Sequence, residues 1–130
     1  MRPEGICTDR APAPVGPYSQ AVLAGGFVFV SGQLGIDPSS GRLEEGVEAQ
    51  ADRALANLEA VLSAAGLSTR DVMKTTVLLA DMGDFARVNA RYALHFAEPF
   101  PARAAFAVRA LPLGALVEIE AVASASSREA

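Results

Sequence analysis

The segment that most constrains the fold is EGVEAQADRALANLEAVLSAAGL, residues 45–67. Its apolar residues recur at steps of three and four, a spacing that places them along one stripe of an α-helix. Gly66 is suited to end this helix, because glycine readily adopts the left-handed conformation of a C-terminal cap. A helix with one apolar stripe has to bury it, so the chain needs a second layer. The stripe consists of Val47, Ala51, Ala54, Leu55, Leu58, Val61, Leu62 and Ala65.

Several β-prone runs can supply that layer. Gly25-Gly26 separates two of them and permits the positive φ angles of a tight hairpin turn. DPSSG, from Asp37 to Gly41, is a turn signal, and β-branched residues dominate DVMKTTVLLAD. The predicted strands span residues 19–24, 27–33, 71–81, 102–108 and 116–123.

A second helix is predicted after Asp81, because Asp84 follows three residues later in the pattern of a helix start. It should stop before Pro99, since the residue before a proline disfavours helix. The first 17 residues contain four prolines and predict an extended arm over the surface. The buried side of the second helix should carry Phe85, Val88, Tyr92 and Phe96.

The element order β-β-α-β-α-β-β predicts an α+β fold in a single domain, residues 1–130, with both helices on one face of a sheet. In the last two predicted strands, apolar or small residues occupy both alternation sets. A sheet with one solvated face does not need this, so we expect the second face to be buried by oligomerisation.

Composition narrows the class of function. The net charge is −4, without the basic patch that nucleic-acid binding favours, so we do not expect a nucleic-acid partner. The single cysteine, Cys7, excludes an intrachain disulfide and fits a reducing compartment. No apolar run is long enough for a signal peptide or a membrane span. We expect a cytoplasmic protein without a membrane partner.

Several catalytic classes are disfavoured by the residue inventory. His95 is the only histidine, so a zinc site of the Cys/His type is excluded, and a Ser-His-Asp triad would have to use it. Its context, LHFAEP, resembles no nucleophile elbow, and we interpret His95 as a partly exposed helix-end residue. No glycine-rich phosphate loop precedes a helix.

What remains is a set of polar residues in apolar surroundings. The arginine among them needs either a protein carboxylate, from Glu118 or Glu120, or an anionic ligand that its planar fork can bind. Each residue taken singly also fits a structural role. The set consists of Tyr18, Ser31, Gln33, Asn89, Arg103, Glu118 and Glu120.

Five segments together resemble the RidA (reactive intermediate deaminase, YjgF-type) family: GPYSQAV, VSGQLGIDPSSG, VMKTTVLLADMGDFARVNARY, FPARAAFAV and VEIEAVA. The resemblance runs from about residue 11 to residue 123, and it implies a chorismate-mutase-like fold with a six-stranded sheet. It also implies a homotrimer, packed as a barrel, with active clefts between subunits. The implied activity is hydrolysis of 2-imino acids, such as 2-iminobutanoate and 2-iminopropanoate, or their enamine tautomers, to 2-oxo acids and ammonia.

The resemblance also implies roles for particular residues. Arg103 matches the arginine that clamps the substrate carboxylate, and Glu118 matches the residue that positions or activates water. Glu120 lies on the same strand face as Glu118, so the pattern alone does not separate the two. Whether Arg103 and Glu118 meet within one subunit stays open, because strand register is not readable from sequence.

The remaining matched positions line the implied cleft. Tyr18 and Asn89 match residues that shape it, and Ser31 and Gly32 match the strand beside it. Many bacterial members have cysteine two residues after the arginine, where this chain has Ala105, which removes thiol chemistry there. An iminium carbon is already a strong electrophile, so we expect neither a metal nor a cofactor.

Two alternatives stay open. Close members of the family are also called endoribonuclease or translation inhibitor, an activity that predicts a basic groove and an acid–base pair. A non-enzymatic trimer, acting as a ligand sensor or holdase, would keep Arg103 as a carboxylate anchor but would not require Glu118.

Overall fold

One mixed sheet forms the centre of the fold. A computed structural model describes residues 2–129. Its strands and the two helices are β1 (Glu4–Ile6), β2 (Ala21–Ala24), β3 (Phe27–Leu34), α1 (Val47–Ala64), β4 (Val72–Leu79), α2 (Phe85–Tyr92), β5 (Ala102–Ala107) and β6 (Val117–Ser124). In this part of the chain the sheet has six strands in the order β1-β2-β3-β6-β4-β5. Every neighbouring pair is antiparallel except β4 and β5, which run parallel. The predicted α+β class is confirmed.

The long helix α1 follows its predicted stripe. Leu55, Leu58 and Leu62 are fully buried, and the helix packs across β3 and β6. Beyond its last turn Gly66 has a φ of 78°, and the amide of Leu67 donates to the carbonyl of Leu62 at 2.9 Å. This is the glycine cap that the sequence predicted.

The second helix is short. Asp81 caps the 3₁₀ turn Met82–Asp84 by accepting a hydrogen bond from the amide of Gly83 at 2.8 Å, and α2 continues from there. Bonds of the i→i−3 type carry the chain from the end of α2 to His95. Phe96 therefore lies outside the helix, yet it is buried with its ring 4.6 Å from that of Tyr92.

The prediction for the N-terminal arm was wrong at one point. Residues 4–6 form the edge strand β1, which pairs antiparallel with β2, so the order is β-β-β-α-β-α-β-β. Pro3 immediately precedes this strand, so its missing N–H removes no hydrogen bond from the pairing of β1 with β2. The buried side chain of Gln20 holds the following segment, since its amide donates to the carbonyls of Thr8 and Pro12 at 3.0 and 2.9 Å.

The two faces of the sheet differ. On β6, Val117, Ile119, Ala121 and Ala123 are buried under the helices. The opposite face, here called the open face, includes Glu118 and Glu120 and the exposed rings of Phe27, Phe29 and Phe106. Across residues 2–129, no helix combines the length and the hydropathy that crossing a bilayer requires.

Candidate active site

Arg103 lies on β5, beside Thr75 of β4, and its side chain turns toward α2. Nη1 of Arg103 donates a hydrogen bond to Oδ1 of Asn89 at 2.6 Å. The guanidinium carbon lies over two aromatic rings, 5.4 Å from the centroid of Phe85 and 4.9 Å from that of Tyr92. Such positions over aromatic faces favour a cation. We call these residues the arginine cluster: Phe85, Asn89, Tyr92 and Arg103.

Tyr92 of this cluster is buried, and its hydroxyl is satisfied. The hydroxyl oxygen lies 2.7 Å from Oγ1 of Thr75, a residue with no exposed surface. Burial raises the pKa of Tyr92, although the hydrogen bond with Thr75 and the charge of Arg103 oppose that effect. The phenol is therefore neutral at physiological pH.

An open cavity of about 470 Å³ adjoins the arginine cluster. The guanidinium is exposed to solvent, and the ion pairs formed among the described side chains involve other cations. Within one chain, therefore, Arg103 forms no ion pair with Glu118 or Glu120. The cavity is lined by Asn89, Tyr92, Ala93, Phe100, Pro101 and Arg103.

Glu118 lies on the open face of β6 and packs against Gly32 of β3. A β-carbon added to Gly32 would lie 2.5 Å from Oε2 of Glu118, so the absent side chain is what leaves room for the carboxylate. The β3–β6 register shifts between Val30 and Gln33, at this glycine. Burial, and secondarily the charge of Glu120, raise the pKa of Glu118.

Ser31 precedes Gly32 on β3, and it is hydrogen-bonded to the segment that follows Tyr18. Oγ of Ser31 donates to the carbonyl of Ser19 at 2.6 Å, and the Ser31 amide donates to the carbonyl of Gln20 at 2.9 Å. Tyr18 is exposed in the loop that leads into these contacts. We call this group the glutamate cluster: Tyr18, Ser31, Gly32 and Glu118.

The two clusters lie on opposite faces of the sheet. Arg103 pairs with Thr75 of β4, whereas Glu118 pairs with Leu78 of the same strand. Residues three apart on a strand point to opposite faces, and directly paired residues share a face. Ala105 pairs with Val77 and so shares the helix-covered face with Arg103. Within one chain, therefore, Arg103 and Glu118 do not converge.

His95 is held away from both clusters. Nε2 lies 3.3 Å from Oδ1 of Asp52, and Nδ1 lies 3.3 Å from Oε1 of Glu59, so the ring is clamped against α1. Arg91 binds the same Asp52 carboxylate at 2.8 Å. These contacts join α1 to the segment just beyond α2, and His95 is partly exposed near a helix end, as the sequence predicted.

The apolar pattern of the second helix predicts that Phe85 and Tyr92 are core residues, but it does not connect them with Arg103. Their spacing of seven residues places both on one side of α2. The sequence does indicate that Tyr92 needs a polar partner, because a tyrosine whose ring lies on a buried stripe has to satisfy its hydroxyl group. The partner, Thr75, is identified only by strand register, which sequence periodicity does not give.

Residues 8–125 match the family described as Endoribonuclease L-PSP. The chain belongs to this family. It is 55% identical over 119 residues to a mouse protein named 2-iminobutanoate/2-iminopropanoate deaminase, covering 91% of this chain and 88% of the mouse protein.

Solved structures of similar proteins have the same fold. RidA from the Antarctic bacterium Psychrobacter sp. PAMC 21119 superposes with a TM-score of 0.91 at 50% identity, covering 93% of this chain and 98% of that one. TdcF from E. coli, solved with bound serine, gives a TM-score of 0.89 at 41% identity, with the same shares covered. The family that the five sequence segments predicted is thereby confirmed, and so is the α+β fold with a six-stranded sheet and two helices.

Proposed function

We propose that this protein is a 2-iminobutanoate/2-iminopropanoate deaminase, which hydrolyses 2-imino acids to 2-oxo acids and ammonia. The observation that carries the proposal is the guanidinium of Arg103, which is held over two rings at an open cavity and has no carboxylate partner among the described side chains. A cation presented in this way suits the carboxylate that every 2-imino acid carries. The names of the mammalian relatives support the choice of substrate.

In the proposed reaction, Arg103 binds the substrate carboxylate and presents C2 of the iminium to water. Glu118 accepts a proton from that water as its oxygen bonds to C2. The carbinolamine that forms then collapses: Glu118 returns its proton to the nitrogen, the C–N bond breaks, and the hydroxyl proton leaves with the departing ammonia as ammonium, so that C2 becomes a carbonyl and Glu118 is again ionised. The raised pKa of Glu118 supports this role, because it brings the base closer to neutral pH.

The same proposal requires more than one copy of the chain. Arg103 and Glu118 lie on opposite faces, so a substrate that touches both must lie between the arginine cluster of one subunit and the glutamate cluster of another. The exposed phenylalanines of the open face support burial by a second copy. With the family resemblance, this favours a homotrimer whose three sites lie between subunits.

The test is release of 2-oxo acid from freshly generated 2-iminobutanoate and 2-iminopropanoate. We expect Arg103→Ala and Glu118→Ala each to lower kcat/KM at least about 100-fold. Arg109→Ala and Glu45→Ala remove the same charges from exposed positions outside both clusters and serve as matched controls. Wild-type protein that does not exceed the spontaneous rate would contradict the proposal.

The alternatives give different results in the same assay. A ligand-binding trimer without catalysis would bind 2-oxobutanoate through Arg103 but would be unaffected by Glu118→Ala. For a ribonuclease, the overall charge of −4 and the engagement of His95 with Asp52 and Glu59 are unfavourable. Ribonuclease activity that is retained by the Arg103→Ala variant would support the ribonuclease alternative.

A further inference from the structure

We propose that Tyr92, held by Thr75, is a positioning residue for the carboxylate-binding arginine. Its effect on substrate binding is exerted through Arg103. The inference rests on the proposed function of Arg103 and adds two residues that the family motifs did not assign. Three contacts carry it: Arg103 with Asn89, Arg103 with the Tyr92 ring, and the Tyr92 hydroxyl with Thr75.

The first step concerns the freedom of an exposed arginine. The side chain of Arg103 is long and solvent-exposed, and in the absence of contacts it would adopt many rotamers. Asn89 accepts from one nitrogen and so fixes one edge of the guanidinium. The rings of Phe85 and Tyr92 lie beneath its face and restrict the remaining rotation. The other N–H donors stay available for a bidentate carboxylate.

The second step concerns why the nearer ring belongs to a tyrosine. A phenylalanine would offer the same face to the cation, but it would lack the bond to Thr75. Thr75 is the residue of β4 that pairs directly with Arg103. The hydroxyl bond therefore ties α2 to the strand beside the arginine and fixes the ring where the guanidinium needs it. Because both hydroxyls are buried, removing either one leaves the other without its partner.

The competing explanation is that Tyr92 is only a core residue. A structural role predicts a loss of stability that has no particular effect on carboxylate binding. A positioning role predicts weaker carboxylate binding that depends on the presence of Arg103. Val88 provides the matched control, because it is buried on α2 one turn before Tyr92 and makes no hydrogen bond through its side chain.

Kinetics and binding separate these explanations. We expect Tyr92→Leu to raise KM for 2-iminobutanoate, and Kd for 2-oxobutanoate measured by calorimetry, by about five- to tenfold, with kcat within about twofold of wild type. Tyr92→Phe and Thr75→Val should raise both constants by about two- to threefold, since the ring is kept and only its anchor is lost. Val88→Ala should lower thermal stability and leave both constants unchanged.

A double-mutant comparison decides whether Tyr92 acts through the arginine. In the Arg103→Ala background, Tyr92→Leu should have no further effect on the binding of 2-oxobutanoate. Equal effects of Tyr92→Leu with and without Arg103 would overturn the proposal. So would a Val88→Ala variant that weakens binding as much as Tyr92→Leu.

A measurement in the free protein keeps this inference separate from the proposed function. The Nε–H signal of Arg103 in ¹H–¹⁵N spectra should be shifted upfield by the two rings. The milder variant Tyr92→Phe should keep most of this shift, and Tyr92→Leu should lose much of it. An unshifted wild-type signal, or one that Tyr92→Leu leaves unchanged, would overturn the positioning role whatever the enzyme catalyses.

Discussion

On the open face of β6, the charge of Glu120 affects the ionisation of Glu118. Burial raises the pKa of Glu118 above its ordinary 4.5, and the charge of Glu120 raises it further. A base works only when it is ionised, so activity should fall as the pH drops through the raised pKa. The loss should begin at a higher pH than it would for an ordinary glutamate.

We therefore predict that Glu120→Gln shifts the acidic limb of the kcat/KM profile toward lower pH, because it removes the neighbouring charge. Steady-state rates between pH 4 and 8 check this. Glu45→Gln, at an exposed position ahead of α1, should leave the limb in place. A limb that stays fixed in Glu120→Gln would mean that Glu118 is not the group that limits activity in acid.

The effect of Gly32 on the position of the Glu118 carboxylate can be tested by substitution. Gly32→Ala would place a methyl group 2.5 Å from the Glu118 carboxylate oxygen, so this flexible side chain has to move. We predict a loss of kcat of about tenfold or more, with a change in unfolding free energy of less than about 1 kcal/mol. Gly5→Ala is the control, since its nearest contact would be an ordinary 3.6 Å. Full activity in Gly32→Ala would argue against a placed carboxylate.

At the level of elements, the backbone passes close to α1 just after β3. A β-carbon on Gly35 would lie 2.5 Å from both the Cα and the carbonyl oxygen of Gln50. Backbone atoms of a packed helix cannot move aside as a flexible side chain does. We predict that Gly35→Ala lowers the free energy of unfolding by about 1–3 kcal/mol, measured by chemical denaturation. Stability equal to that of Gly5→Ala would contradict this packing.

Local signals in the sequence predicted most of the elements. The apolar stripe predicted α1, and the Gly25-Gly26 turn, with φ angles of 61° and 83°, closes the β2–β3 hairpin as expected. The edge strand β1 was not predicted, because its three residues carry no periodic pattern and follow a proline. Short edge strands are defined by their partner, and here the partner lies beyond a proline-rich loop.

The candidate site was only partly predictable. Motifs picked out Arg103 and Glu118 as residues, but the spatial relation between them depends on which strands are neighbours. That β4 pairs with both β5 and β6 follows from global packing, and this pairing places Arg103 and Glu118 on opposite faces. The aromatic support of Arg103 likewise depends on how α2 lies over β4.

At the scale of the whole molecule, the proposed sharing of sites between subunits makes a specific prediction about mixtures. Arg103→Ala and Glu118→Ala are each expected to be inactive. When they are unfolded together and reassembled in equal amounts, some interfaces combine an intact Arg103 with an intact Glu118. By symmetry about a quarter of the sites should then be restored, with about a quarter of the wild-type activity.

Mixing without dissociation provides the control, since preformed trimers should stay inactive. Native mass determination on the same samples should give about 40 kDa for three chains of 13.5 kDa. A remixed sample that stays inactive while assembling normally would place both residues of each site in one subunit. A stable monomer would contradict the shared site altogether.

The opposite placement of Arg103 and Glu118 has a consequence for how activity responds to dilution. A site divided between copies does not exist in an isolated chain, so catalysis in the proposed trimer follows mass action. When the concentration falls below the range in which the copies associate, specific activity should decline with it. A newly synthesised chain would thus be inactive until it associates with other copies. The cellular concentration of the chain would set both the number of active sites and the fraction of chains that take part in one.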